Sequence, residues 1–297
     1  MWSSLFRVFL AACLAASLSG CTASMNITQR VLIWGTGFDL KTDLAYGADP
    51  RQKLDIYTPK GAAPKATVVF IYGGSWTSGT KSLYRFLGQA FAARGYQLVV
   101  ADYRLYPQVR YPAFVEDSAQ ALAWTKSNIA AHGGDPSKLI LMGHSAGAYN
   151  VMMLAVDPQW MAPHGLKPGD ALGVIAAAGP LSFNPRETAS TKDIFATAGD
   201  INAARPVKLA ASGAAGAPPL FLMHGTADTT VMSHNSQNMT NAVNEQGGRA
   251  TLKLYEGVSH LGVISCFAWP LRWRAPCLDD ADAFIDTLLR AAQPEEG

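Results

Sequence analysis

The sequence predicts an α/β fold, a mostly parallel central sheet with helices on both faces. Three observations lead there. From about residue 54 onward, apolar β-branched runs alternate with stretches of helical spacing. Several of those runs end at glycines, as buried strands do where the chain must turn. Hydrophobic residues make up 49% of the 297-residue chain and charged residues 15%, which suits a large buried core rather than disorder. The net charge of +2 carries no basic run, so nothing points to nucleic acid as a partner. There is no internal repeat and no long low-complexity tract.

The elements follow in order. Leu54 to Tyr57 reads as a short strand after a polar lead-in. "ATVVFIYGG" is a buried strand ending at Gly73 and Gly74. "SLYRFLGQAFAARG" has helical spacing, with Gly95 as its C-terminal stop. "YQLVVADYRL" is the next strand. "PAFVEDSAQALAWTKSNIAAHGG" is the longest helical pattern, with Pro112 in its first turn. "KLILMG" is a strand and Ala146 to Leu154 a helix. "ALGVIAAAG" and "PPLFLMHG" are two more strands. Between them, residues 181–219 form a small cap or loop region expected over the site. "SHNSQNMTNAVNEQGG" is a helix, "ATLKLYEG" a strand, and "DDADAFIDTLLRAA" a terminal helix opened by acids.

The leading stretch stands apart from the fold. Arg7 precedes an apolar core and then small residues, the pattern of a secretory signal over residues 1–20 and too short for a spanning helix. Leu18-Ser19-Gly20-Cys21 resembles the lipobox of bacterial lipoproteins. That resemblance implies acylation of Cys21 and a membrane anchor rather than a span. Thr22, which is not an aspartate, implies retention at the outer membrane. The expectation is an exported envelope protein on the periplasmic face. Residues 21–50 then form a lead-in segment and 51–297 the folded domain. Cys266 and Cys277 remain as an even pair without metal-type spacing. They form either a disulfide, worth about 2–3 kcal/mol in the chain-entropy model, or two buried free thiols.

Parallel sheets of this kind place their chemistry at the carboxyl ends of the strands. Three of those ends carry Ser145, Asp228 and His260, in that order along the chain. Gly143-x-Ser145-x-Gly147 fits a nucleophile elbow, in which a serine occupies a strained strand-to-helix turn. Glycines flank it because a β-carbon would strike the turn. The helix beginning after Ser145 offers the Ala146 N–H to a developing oxyanion. Gly73 and Gly74 can turn further amides toward the same point. Asp228 and His260 each follow their own strand, about thirty residues apart, where the elbow architecture requires an acid and a base.

From about Leu54 to the C-terminus the chain resembles the α/β-hydrolase superfamily, and more narrowly its carboxylesterase branch related to hormone-sensitive lipase. "VVFIYGGSW" is similar to that branch's His-Gly-Gly-Gly/Ala-x-Trp segment. "DYRLYP", "GGDPSKLILMGHSAGA", "PPLFLMHGTADTTV" and "YEGVSH" follow its pattern. Three positions depart from it: Tyr72 for the usual histidine, Ser75 for glycine or alanine, and His144 for the frequent aspartate. The resemblance implies hydrolysis of small carboxylic esters through an acyl-enzyme. Ser145 would attack, His260 would move the proton and Asp228 would orient the histidine. Gly73, Gly74 and Ala146 would form the oxyanion hole. That chemistry needs no metal or organic cofactor. The same machinery would serve an amidase, formamidase or thioesterase, and a hydrolase-like binding protein without activity is the reading from another class.

Other residues read as structural. Glu116 and Asp117 suit a helix dipole, and Arg104 an ion pair. His144 and His224 read as core histidines. Trp269 and Trp273 are expected to pack against neighbouring helices.

Overall fold

The computed structural model describes residues 37–213 and 216–292. The signal segment and Cys21 lie outside the described residues. Eight strands form one sheet in the order β1-β2-β4-β3-β5-β6-β7-β8. They are β1 (Phe38–Ala45), β2 (Lys53–Pro59), β3 (Thr67–Ile71), β4 (Gln97–Ala101), β5 (Leu139–His144), β6 (Gly173–Ala177), β7 (Leu220–Gly225) and β8 (Ala250–Tyr255). The pairs β1/β2 and β2/β4 are antiparallel, and every pair from β4 across to β8 is parallel. Strands β3 to β7 are buried at every position. They read as continuous apolar runs because helices cover both faces and leave no solvent side to alternate with.

The helices are α1 (Arg85–Ala92), α2 (Ala113–Asn128), α3 (Ala146–Val156), α4 (Pro206–Gly213), α5 (His234–Glu245), α6 (His260–Ser265) and α7 (Cys277–Ala291). α3 is buried along its whole length, so its sequence is apolar all round rather than amphipathic. Arg104 and Asp117 fix α2 to the end of β4. The Asp117 carboxylate is fully buried and accepts from the Arg104 backbone N–H at 2.8 Å and from its guanidinium at 2.6 Å.

Two expectations change, and one left open is answered. β1 falls inside the polar lead-in, yet it pairs with β2 and belongs to the sheet. It is an edge strand with most of its side chains exposed, so it lacks the apolar run that marks the inner strands. Trp269 and Trp273 do not pack: they are 71% and 80% exposed. The interior place beside them is filled by Phe267, which lies against Phe91 at 5.8 Å between ring centroids. Cys266 and Cys277 are buried free thiols rather than a bridge. The two thiols act on one another, which pushes the Cys277 thiol up and holds that of Cys266 down.

Candidate active site

The site grows from the turn between β5 and α3. Ser145 sits there at φ 54° and ψ −121°, a conformation that L-residues reach only under strain. The flanking glycines make it feasible. A β-carbon on Gly143 would lie 2.3 Å from the Gly147 carbonyl oxygen, and one on Gly147 would lie 2.0 Å from the Ile71 carbonyl oxygen. The Ser145 N–H donates to Ala177 at the end of β6 at 2.8 Å, which pins the turn to the neighbouring strand.

The structure brings the three distant residues together. His260 Nε2 is 2.9 Å from Ser145 Oγ, and His260 Nδ1 is 2.7 Å from Asp228 Oδ2. An ionised aspartate only accepts, so the Nδ1–H donates to it and Nε2 is left to accept the serine proton. The Asp228 carboxylate is fully buried. Its second oxygen accepts the Thr230 and Val231 backbone N–H groups, both at 2.9 Å. His260 opens α6, whose N-terminus is capped by Ser259 through a 3.2 Å bond from the Gly262 N–H.

His144 and His224 hold these parts in place. His144 Nε2 donates to the His260 carbonyl at 3.1 Å, and the two rings lie 4.9 Å apart. Burial, reinforced by the nearby His260, lowers the His144 pKa to about 3. The ring therefore stays neutral beside His260. His224 Nε2 donates to the Val231 carbonyl at 2.7 Å and lies 3.3 Å from Asp228 Oδ2. Its Nδ1 accepts from Ser236 Oγ at 2.7 Å. Burial lowers its pKa as well.

The wall facing Ser145 brings in Ser75 and Trp76 beside the expected Ala146. A cavity of about 130 Å³ opens at the serine, and Ser75, Trp76 and Ala146 line it while Gly73 and Gly74 do not. Gly73 lies under Ser145: a β-carbon there would be 2.7 Å from Ser145 Cβ and 2.9 Å from the His144 carbonyl oxygen. Gly74, at φ 125°, turns the loop. The N–H groups of Gly74, Ser75 and Trp76 have no backbone acceptor among the described residues. The Ala146 N–H lies in the first turn of α3, where helix amides have no intrahelical partner. Ser75 is the wall residue that sequence reading missed. Its signal was its place directly after two glycines, but a serine gives no hint that it will adopt φ 52°.

The rest of the cavity comes from the expected cap. Phe183, Thr188, Ser190 and Thr191 line one side, and Thr230 and Val231 the other. Trp76 is the floor. Its indole N–H donates to Asn150 Oδ1 of α3 at 2.9 Å, and Phe183 stacks on it at 6.3 Å and 9°.

An eight-stranded, mostly parallel sheet with a serine elbow at the end of β5 defines the α/β-hydrolase fold. Residues 54–163 match the BD-FAE family. A probable isoprenylcysteine alpha-carbonyl methylesterase from Oryza sativa subsp. japonica is 31% identical over 240 residues, which are 73% of this chain and 56% of the relative. The chain spans a little over half the length of the curated relatives it first matches. Among solved structures, the propionate-bound esterase Est2 of Thermogutta terrifontis is 28% identical with a TM-score of 0.69, covering 85% of this chain and 94% of that one. Esterase B of Lactobacillus rhamnosis shares the fold at a TM-score of 0.74 and 20% identity, covering 96% of both chains. The matches place the chain in the α/β-hydrolase fold among proteins named as esterases.

Proposed function

We propose that the chain is a carboxylic ester hydrolase that cleaves small esters through a Ser145 acyl-enzyme. The observation that carries this reading is the unbroken relay from Ser145 Oγ through His260 to Asp228, at 2.9 and 2.7 Å, beside unpaired amides. Ser145 Oγ attacks the ester carbonyl as its proton passes to His260 Nε2. The carbonyl oxygen takes the electron pair and accepts from the Ala146 and Ser75 N–H groups. Collapse of this intermediate expels the alcohol, which takes the proton from His260. Water then attacks the acyl-enzyme, giving its proton to His260, and the acid leaves as Ser145 is restored. Asp228 holds the imidazole in the tautomer that accepts at Nε2 and stabilises its charged form.

The cavity of about 130 Å³, closed in by Phe183, Thr188 and Thr191, supports small substrates. The named relatives and neighbours support an ester as substrate. Replacing Ser145 with alanine tests the reading. Ester hydrolysis should fall by at least about 10³-fold, and labelling by a fluorophosphonate should vanish. Equal labelling of the two proteins would favour a binding protein without catalysis. Matched ester, amide and thioester substrates discriminate among the hydrolase types.

We further infer export and lipid anchoring through Cys21. The support is the apolar leader ending in Leu18-Ser19-Gly20-Cys21. Cys21→Ser should move the protein from the detergent phase to the aqueous phase on partitioning. An unchanged distribution would rule the anchor out.

A further inference from the structure

The loop that carries Ser75 is strained. Ser75 and Trp76 both have positive φ, at 52° and 59°. Neither is glycine, so surrounding contacts must hold this conformation. On the front, Trp76 is held by Asn150 and by the Tyr106 N–H, which donates to the Trp76 carbonyl at 2.8 Å. Behind the loop lies a buried polar cluster that the acyl-transfer steps do not use. Its centre is Tyr72, fully buried, at the position where the resembled family has histidine.

The Tyr72 hydroxyl donates to Asp102 Oδ1 at 2.6 Å and accepts from Arg51 Nη2 at 2.8 Å. The same Arg51 nitrogen donates to the Gly79 carbonyl at 3.0 Å. Asp102 Oδ1 also accepts the Lys81 N–H at 2.7 Å. Tyr103 O–H donates to the Tyr72 carbonyl at 3.0 Å. Both ends of the loop, Tyr72 and Gly79, are thereby tied to one guanidinium. The tyrosine ring is clamped as well. It stacks on Tyr103 at 4.9 Å and on Tyr84 at 5.5 Å, and a β-carbon on Gly79 would lie 2.5 Å from it.

We propose that Tyr72 is a positioning residue for the oxyanion site, its hydroxyl closing the base of the 73–78 loop between Arg51 and Asp102. The loop then presents the Ser75 amide to the Ser145 intermediate without reorganising during the reaction. This rests on the acyl-transfer reading above. The phenol keeps its proton, because burial and the adjacent Asp102 push its pKa far up.

Tyr72→Phe removes the hydroxyl and retains the ring stack. With p-nitrophenyl acetate, kcat should fall about tenfold to a hundredfold while KM stays within about twofold. Phenylboronic acid, which forms a tetrahedral adduct with the serine, should lose affinity by the same factor as kcat/KM. Arg51→Met, at a half-exposed side chain, should give the same signature and serves if the first variant does not fold. A variant that melts earlier but keeps wild-type kcat and boronate affinity overturns the proposal, as does a loss confined to KM. Absence of Ser145-dependent hydrolysis in the unmodified chain would instead sink the reading on which it rests.

Discussion

Asp228 shows how much one side chain decides. One oxygen holds the Thr230 and Val231 amides, and the other receives His260 at 2.7 Å with His224 at 3.3 Å. Asparagine has the same shape, and its carbonyl oxygen can keep both amides. Its NH₂ group then faces His260 Nδ1 and forces the proton onto Nε2. The histidine can no longer accept from Ser145. Asp228→Asn should therefore keep the fold and lower kcat by about 10⁴-fold. Steady-state kinetics with a melting curve on the same sample checks both halves. An active variant would show that His260 does not depend on this carboxylate. Ser145, Asp228 and His260 were legible in the sequence because strand ends mark position and chain order marks role. Ser75 was not, because backbone amides have no letter of their own and the glycines beside it drew the inference. His144 and His224 read as bland core residues. His144 bonds the His260 carbonyl 116 residues along the chain, which no local pattern announces, while His224 works over only four to seven residues, on Asp228 and Val231.

At the scale of elements, legibility followed burial. β3 to β7 are enclosed on both faces, so their apolar runs stand out from everything around them. β1 was hidden because an edge strand needs few apolar side chains, and its register also shifts between Lys41 and Leu44. The six-residue α6 was hidden because so short a helix shows no period. Yet α6 sets the base of the site, since its capped first turn carries His260. Asp117 was read as a helix-dipole acid, and the structure gives it a larger part. Its buried carboxylate takes both the backbone and the guanidinium of Arg104, so α2 is locked to the strand end that also supplies Asp102. The Tyr72–Arg51 cluster and the Arg104–Asp117 pair thus both lie just past the end of β4, where Arg51 also donates to the Tyr103 carbonyl at 2.8 Å. The tryptophans of 269–274 show the opposite error. An apolar side chain suggests burial, but Phe267 and the buried Cys277 fix the chain on either side and leave Trp269 and Trp273 outside.

Across the whole molecule, the carboxyl ends of the inner strands carry two buried histidines, and that arrangement has a consequence for acid stability. His144 ends β5, His224 lies near the end of β7, and both have pKa values lowered by burial. In the unfolded chain a histidine titrates near 6.5. Below that pH the unfolded state binds protons that the folded state refuses, so stability falls as pH falls. The contribution is intact above about pH 6.5 and for His144 is lost progressively toward its folded value of about 3. Each histidine can add a slope of up to about 1.4 kcal/mol per pH unit. Asp43, Asp135 and Asp170 are held below 3.8 by Lys81, Ser137 and Lys126 respectively, and begin to matter only at lower pH. Asp102, raised by burial, opposes the trend from about 3.8 upward, because the folded state there binds the proton more readily than the unfolded chain. Just below about pH 6.5 the buried histidines therefore lead the fall in stability. Urea unfolding across the window just below that pH should show falling stability. His144→Gln, which keeps a donor for the His260 carbonyl and cannot titrate, should remove one histidine's share of the slope. A profile flat over the window in the unmodified chain would mean that these rings accept protons without unfolding, and that the site's edge opens to water more readily than its packing implies.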